Sequence, residues 1–219
     1  AMALMFYNGV VFTPLVDAFC GIDRFTGIIN AYNFMDGING ITGGYSLVVL
    51  VALAYINEAV VSFVEQDFIL TVFAVSLFST SSISGNVPSV LPVMSVLSAF
   101  IRSAVLIGKL VIRTEDFSWI ILLAVYGVDS VLTIIHRLML HENIGLPHRK
   151  HLYQIMANEL KIPHVVVSSV YMLVQALVIV GYFYFYSYGY WYLLATVLIL
   201  GTLYVLFMKK YFRLHLMNK

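Results

Sequence analysis

Long apolar tracts recur along this chain and constrain its fold more than any other feature. A helix needs about 20 apolar residues to cross the hydrocarbon core of a bilayer. Six tracts approach that length, and the number becomes seven if Ser187–Tyr190 is a tight turn between two spans. The predicted spans lie near 2–20, Tyr45–Phe63, Phe68–Ser81, Pro88–Ile112, Trp119–Ile135, 164–186 and 191–208.

The composition agrees with a membrane protein. Hydrophobic residues make up 61% of the 219 residues and charged residues 11%, whereas a soluble domain is about 45–50% apolar and about 25% charged. We therefore predict an all-α, polytopic transmembrane helix bundle, with residues 1–219 forming a single membrane domain. The net charge of +1 gives no reason to expect a nucleic-acid partner.

The charges of the connections predict which ends of the spans share a side of the membrane. Lys and Arg prefer cytoplasmic loops, so the basic segment 136–162 and the basic C-terminus are predicted to lie inside. The acidic turns near residues 65–67 and 114–116 then lie outside. This assignment of loops predicts that three polar segments lie on the cytoplasmic face: Asn30–Gly44, Ser79–Asn86 and His136–Gln154.

The first of these segments combines carboxamides, one carboxylate and glycines. Asn30, Asn33 and Asp36 recur every three residues, which keeps them near one face of a helix. Several glycines follow and permit close approach of a ligand. Such a set suits a hydroxylated sugar, a nucleoside or a hydrated magnesium ion. The alternative is a polar helix end at which glycine stops the helix before the next span.

The third segment has an anion-binding composition. His148, Arg149, Lys150 and His151 are consecutive, and Arg and Lys are the side chains that bind phosphate. Two alternatives remain at this point: a metal site formed by His148 and His151, and an ordinary basic cytoplasmic loop.

Both segments resemble one bacterial enzyme family. The stretch N-A-Y-N-F-M-D-G-I-N-G-I-T-G-G and the later P-H-R-K-H-L-Y-Q are similar to signatures of the polyprenyl-phosphate N-acetylhexosamine-1-phosphate transferases, which are bacterial glycosyltransferase family 4. The motif similarity is strong over roughly 27–77 and 110–185 and poor over roughly 6–26 and 78–108. It corresponds to the C-terminal two-thirds of a family member, without the N-terminal helices.

The resemblance implies a reaction and its participants. A sugar-1-phosphate would pass from a UDP-sugar to undecaprenyl phosphate, with release of UMP, at the cytoplasmic face of the bacterial inner membrane. This step initiates cell-surface polysaccharides such as those of lipopolysaccharide and the cell wall. The implied cofactor is Mg²⁺, with Mn²⁺ as the alternative, and relatives in the family resemble homodimers.

The resemblance also assigns roles to residues. Asp36 and His148 are implied to be catalytic, and the implied substrate-binding residues are Asn30, Asn33, Asn39, Arg149 and His151.

The chain departs from the family pattern at acidic positions. It contains no Asp-Asp pair, and Asn86 stands where the family carries a metal-binding Asp. Asn39 also replaces an Asp that many members carry. Metal ions neutralise charge in phosphoryl transfer, so one alternative is an impaired paralogue or fragment that binds nucleotide-sugar without turnover.

Ionisable residues within the spans form the last group of candidates. Asp129 lies inside a predicted span and shares a helix face with Thr133 and His136. Such a residue is a functional candidate by default, and the alternative is a structural interhelical hydrogen bond or a pair with Arg102. Together with Arg102, Asp129 also suggests a small-solute transporter as a further alternative.

Overall fold

The computed structural model describes residues 38, 40–65, 103–142 and 149–217. Within these ranges every regular element is an α-helix or a 3₁₀-helix and there is no strand, which confirms the all-α prediction for the described part of the chain. The catalytic and binding candidates Asn30, Asn33, Asp36, Asn39, Asn86 and His148 lie outside the described residues.

The chain divides into two compact units. One comprises Ala1–Asn33 and Thr42–Leu122, and the other comprises Phe34–Ile41 and Leu123–Lys219. The α-helices are numbered here in chain order: α1 (Ile41–Ala59), α2 (103–114), α3 (Ala124–Met139), α4 (Leu152–Asn158), α5 (His164–Tyr184) and α6 (Gly189–Met217).

Local chemistry sets both ends of α1. Gly40 precedes it with a φ of 84°, a left-handed conformation that glycine adopts without steric cost. At the other end, Asn57 accepts hydrogen bonds from the main-chain N–H groups of Phe63 (2.9 Å) and Val64 (3.0 Å) and donates to the Val64 carbonyl (3.1 Å). The predicted span continued to Phe63, and the helix ends earlier because this carboxamide closes the turn.

A 3₁₀-helix over Phe117–Leu123 runs directly into α3. The Asp116 carboxylate accepts from the Ser118 N–H at 2.8 Å and fixes its start. Trp119 is fully buried, and the Tyr45 hydroxyl of α1 donates to the Leu122 carbonyl at 3.4 Å.

An aromatic hairpin joins α5 to α6. A single 3₁₀ turn, Tyr186–Tyr188, separates the two helices. A tight turn was predicted at Ser187–Tyr190, but the turn ends two residues earlier and Gly189 and Tyr190 belong to α6. Tyr192 donates to the Val178 carbonyl at 3.0 Å and its ring stacks on that of Phe185. Gly181 leaves room for this arrangement, because a Cβ at Gly181 would collide with the Tyr192 hydroxyl.

Short α4 packs against the last turns of α6. Ile155 of α4 forms an apolar cluster with Tyr204 and Met208 of α6, and Leu132 of α3 lies at its edge. The segment that follows α3 therefore leads into a helix whose apolar side is buried within its own unit.

Four helices in the described residues are long and apolar enough to cross a membrane: Ile41–Ala59, Phe117–Met139, His164–Tyr184 and Tyr186–Phe212. They correspond to four of the predicted spans. The predicted spans near 2–20 and at Phe68–Ser81 lie outside the described residues, and only the last residues of Pro88–Ile112 are described, as α2. The total of six to seven spans therefore stays a prediction, as does the single domain.

Candidate functional site

The structure describes the basic segment between α3 and α4 in two stretches, which end at residue 142 and resume at residue 149. The last turn of α3 carries His136 and Arg137, and the chain then turns through His141, which has a φ of 56°. Residues 149–151 lead into α4. Both stretches belong to the unit that contains Leu123–Lys219, so the contacts between them lie within one compact unit.

Glu142 joins the two stretches. One carboxylate oxygen, Oε1, accepts a hydrogen bond from Lys150 Nζ, and the other, Oε2, lies 3.5 Å from Arg137 Nε. The two cations are buried, with side-chain exposures of 3% for Arg137 and 6% for Lys150, while Glu142 is 31% exposed. The hydrogen bond from Lys150 is the largest cause of a lowered Glu142 pKa, and Arg137 adds to it.

Phe212 of α6 supports this cluster from the side. Its ring lies edge-on to the His136 ring, with centroids 4.5 Å apart, and its centroid is 5.8 Å from Lys150 Nζ. The second distance lies within the range of a cation–π interaction. Phe212 therefore helps to hold Lys150 in place from a helix more than 60 residues away in sequence.

Asp129 is the centre of a buried polar network. Its Oδ1 accepts from the Thr133 hydroxyl and from the Leu152 N–H, both at 3.1 Å, and its Oδ2 accepts from the Tyr171 hydroxyl at 2.7 Å. The His151 Nδ1 atom lies 3.4 Å from Oδ1. A carboxylate with only 4% side-chain exposure needs such donors, because burying an uncompensated charge is costly.

The network reaches a fourth helix through Thr133. Its hydroxyl lies 2.9 Å from that of Tyr204 on α6. A hydroxyl has a single proton, and Thr133 donates its proton to Asp129, so Tyr204 donates to Thr133. One carboxylate therefore links α3, the start of α4, α5 and α6.

Two glutamines add polar contacts within this unit. Gln154 accepts from the His151 N–H at 3.2 Å, which satisfies a main-chain donor at the start of α4. Gln175 of α5 is fully buried and accepts from the Val125 N–H at 3.2 Å. Each satisfies a donor near a helix start, where N–H groups lack an intrahelical partner.

The structure separates the predicted residues of the basic segment. Arg149 is exposed, whereas Lys150 and His151 are buried, the latter beside Asp129 and stacked on Tyr153 with ring centroids 5.6 Å apart. Asp129 was predicted to be either a functional residue or the acceptor of a structural interhelical hydrogen bond. The structure shows interhelical hydrogen bonds of the second kind. They also fasten the end of the basic segment.

Sequence reasoning missed four participants: Glu142, Tyr171, Tyr204 and Phe212. Glu142 carried a usable signal, since it is the acidic residue nearest to Arg137 and Lys150 in sequence. Tyr171 and Tyr204 carried none, because both lie in apolar tracts. Phe212 carried none either, because it lies in the basic C-terminal segment and is brought to the site only by helix packing.

The described residues contain no group of three or more His, Cys, Asp or Glu side chains placed to hold a metal ion. Both oxygens of Asp129 already accept hydrogen bonds from the protein.

Comparison with family models gives a match over the first part of the chain. Residues 2–100 match glycosyl transferase family 4. This confirms the predicted family resemblance. The family 4 match includes Asn30–Gly44 and Asn86, and it also covers 6–26 and most of 78–108, where motif similarity is poor. The comparisons with curated proteins and with solved structures found no match.

The basic segment lies beyond the family 4 match. Its assignment to the family on P-H-R-K-H-L-Y-Q therefore stays a prediction from the motif. Transfer of a phosphosugar to a polyprenyl phosphate is supported at the level of the family, and the apolar helices agree with a membrane protein.

Proposed function

We propose that this protein transfers an N-acetylhexosamine-1-phosphate from a UDP-sugar to undecaprenyl phosphate and releases UMP. The observation that carries the proposal is the family 4 match over residues 2–100, which includes the segment with Asn30, Asn33, Asp36 and Asn39. The proposed setting is the bacterial inner membrane with a cytoplasmic active face. There the product would begin a surface polysaccharide.

The described part of the site supports the proposal through its charge. Arg137 and Lys150 both contact the Glu142 carboxylate, and the exposed Arg149 adjoins Lys150 in sequence. Guanidinium and ammonium groups bind phosphate oxygens through charge-assisted hydrogen bonds. Arg149 is exposed and is the group proposed to make first contact with the diphosphate of the nucleotide-sugar.

His151 has a different proposed role from Arg149. Its ring is buried between Asp129 and Tyr153, so we assign it to fixing the geometry of the segment. Asp36 and His148 keep their proposed catalytic roles, and Mg²⁺ keeps its proposed role of neutralising phosphate charge. A homodimer likewise remains a proposal.

The test is UMP release by the purified full chain in detergent with undecaprenyl phosphate, MgCl₂ and a panel of UDP-N-acetylhexosamines. The expected result is release that requires the lipid and is abolished by EDTA. Asp36→Asn and Arg149→Ala should each lower turnover, while Lys209→Ala serves as the matched loss of an exposed positive charge on α6. Absence of lipid-dependent release with every sugar would overturn the transferase proposal.

A second candidate, nucleotide-sugar binding without turnover, is favoured by one observation: Asn86 occupies a position where the family carries an acid. The same assay separates the two candidates, because this one predicts UDP-sugar binding in equilibrium dialysis together with no UMP release. Asn86→Asp is then expected to restore release if the missing carboxylate is the cause. The transporter alternative loses its support from Asp129, whose oxygens are engaged by protein donors.

A further inference from the structure

We propose that Arg137 and Lys150 form a phosphate-binding site that Glu142 occupies in the ligand-free protein, and that the phosphates of the substrate displace it. The inference rests on the proposed function for the identity of the ligand. The site itself is defined by three described side chains within one unit of the structure.

The geometry resembles a bound anion more than a surface ion pair. Each carboxylate oxygen of Glu142 faces a different cation, Oε1 toward Lys150 and Oε2 toward Arg137. The cations are almost completely buried, whereas the carboxylate is about one-third exposed. Glu142 is therefore the member of the cluster that meets solvent, and an anion reaches the two cations when this carboxylate moves away.

The charge balance favours exchange. Arg137 and Lys150 contribute two positive charges and Glu142 one negative charge, so the cluster keeps a net charge of +1. A diphosphate carries more negative charge than a carboxylate and offers more acceptor oxygens. Arginine in particular presents several N–H donors in a plane that matches phosphate oxygens. Substitution of phosphate for carboxylate thus neutralises the cluster more fully.

The main chain allows the carboxylate to leave without moving the cations. The Glu142 N–H donates to the Arg137 carbonyl at 3.0 Å, and this bond holds the backbone at the end of α3. Release therefore needs only rotation of a partly exposed side chain, which occurs on fast timescales. Lys150 retains its position over the Phe212 ring, so the cations remain organised for the incoming phosphate.

This arrangement makes an unusual prediction, namely that removal of a charged side chain from the site strengthens ligand binding. A ligand that binds only the open form has its affinity reduced by the fraction of molecules that are open. If about one-tenth of the protein is open, Glu142→Gln should tighten binding about tenfold. The amide is neutral and keeps the shape of the side chain.

The experiment is calorimetric titration of the full chain in detergent with inorganic pyrophosphate. Wild type, Glu142→Gln and Glu159→Gln are compared at one ionic strength. Glu159 caps α4 in the same unit, so its substitution removes the same charge without vacating the cations. The expected order is tightest binding by Glu142→Gln, with Glu159→Gln close to wild type.

A double variant tests whether the gain in pyrophosphate affinity depends on Lys150. Lys150→Gln in the Glu142→Gln background should abolish the gain, because it removes the cation that the carboxylate released. Thermal unfolding of each variant confirms that it is folded. Equal or weaker pyrophosphate binding by Glu142→Gln, or no binding by wild type and variant alike, would overturn the inference.

The inference and the proposed function can fail separately. Tighter pyrophosphate binding by Glu142→Gln together with no UMP release from any UDP-sugar upholds the anion site and rejects the transferase. UMP release by wild type with unchanged pyrophosphate affinity in Glu142→Gln does the opposite. UDP as a second titrant shows whether the gain extends to a nucleotide diphosphate.

Discussion

At the scale of single residues, Asp129 is a buried carboxylate that accepts several hydrogen bonds. Three donors from three different parts of the chain converge on its two oxygens. The sequence predicted that this residue matters, because an ionisable side chain inside an apolar span requires partners. It could not predict the partners, since Tyr171 and Leu152 reach Asp129 only through tertiary packing.

Substitution of Asp129 by Asn should destabilise the protein. The amide keeps the size of the side chain but turns one acceptor into a donor, which then faces the donor of a neighbour. Leaving buried groups unsatisfied costs about 1–3 kcal/mol for each group. We expect a loss of about 2 kcal/mol or more in the free energy of unfolding, measured by denaturant titration in detergent.

Tyr171→Phe is the matched control for that experiment, because it removes a single donor and leaves Asp129 with its other hydrogen bonds. Its expected cost is smaller, about 1–2 kcal/mol. If Asp129→Asn proved as stable as wild type, the buried network would not be the support described above.

Glu142 gives the protein a stability that depends on pH. Its pKa is lowered from an ordinary value of 4.5, chiefly by Lys150. A carboxyl with a lowered folded-state pKa stabilises the fold above its unfolded pKa, and this contribution disappears as the pH falls through the folded value. Wild type should therefore lose stability below about pH 4.5.

The Glu142→Gln variant isolates this contribution, because its side chain does not titrate. Thermal unfolding of both proteins should converge as the pH falls, with the variant less stable near neutrality. Parallel curves over the whole range would contradict a stabilising role of the ion pair.

At the scale of helices, the sequence predicted which tracts form spanning helices better than it predicted where those helices begin and end. The length of an apolar tract is a local property that decides whether a helix can span a bilayer, and so α1, α3, α5 and α6 could be found. Their ends depend on contacts. Asn57 stops α1 before the apolar tract ends, and α6 continues past the apolar tract to Met217.

Gly181 tests the packing of the α5–α6 hairpin. A methyl group there would collide with the Tyr192 hydroxyl, which is bonded to the Val178 carbonyl. Gly181→Ala should break this bond and lower the free energy of unfolding by about 1 kcal/mol. Gly127 in α3 is the control, because its Cβ would meet no atom within 4 Å.

Gly181→Ala is expected to lower the free energy of unfolding, whereas Gly127→Ala is not. Alanine at an unstrained helix position stabilises by about 0.5–1 kcal/mol relative to glycine, so Gly127→Ala should be neutral or stabilising. Unfolding midpoints of both variants, measured side by side, decide the matter. Equal effects would show that helix propensity and not the Tyr192 contact determines the result at Gly181.

At the scale of the whole molecule, the membrane dominates. The exposed surface of α6 is largely apolar, with Ile199 at the midpoint of the span Tyr186–Phe212 and 60% exposed. Lipid tails are as apolar as these side chains, so such a face needs no protein cover. Membrane character could therefore be predicted from composition alone, whereas the ion pairs between α3 and α4 could not.

An arginine placed at Ile199 should interfere with membrane insertion. Charged side chains at the centre of a span cost about 2.5–3.5 kcal/mol on insertion scales. The same substitution at Tyr188, in the turn before α6, should cost little because the side chain can reach water. The measurement is the inserted fraction of each variant in microsomes, and equal fractions would argue against α6 as a span.

The hydrogen bond between the Leu152 N–H and Asp129 has a spectroscopic consequence. A main-chain amide that donates to a buried carboxylate should exchange its proton slowly and resonate downfield of ordinary helix amides. Selective ¹⁵N-leucine labelling would bring this signal into view. One nucleus could then report whether the end of the basic segment is docked, in any detergent or lipid and without a substrate.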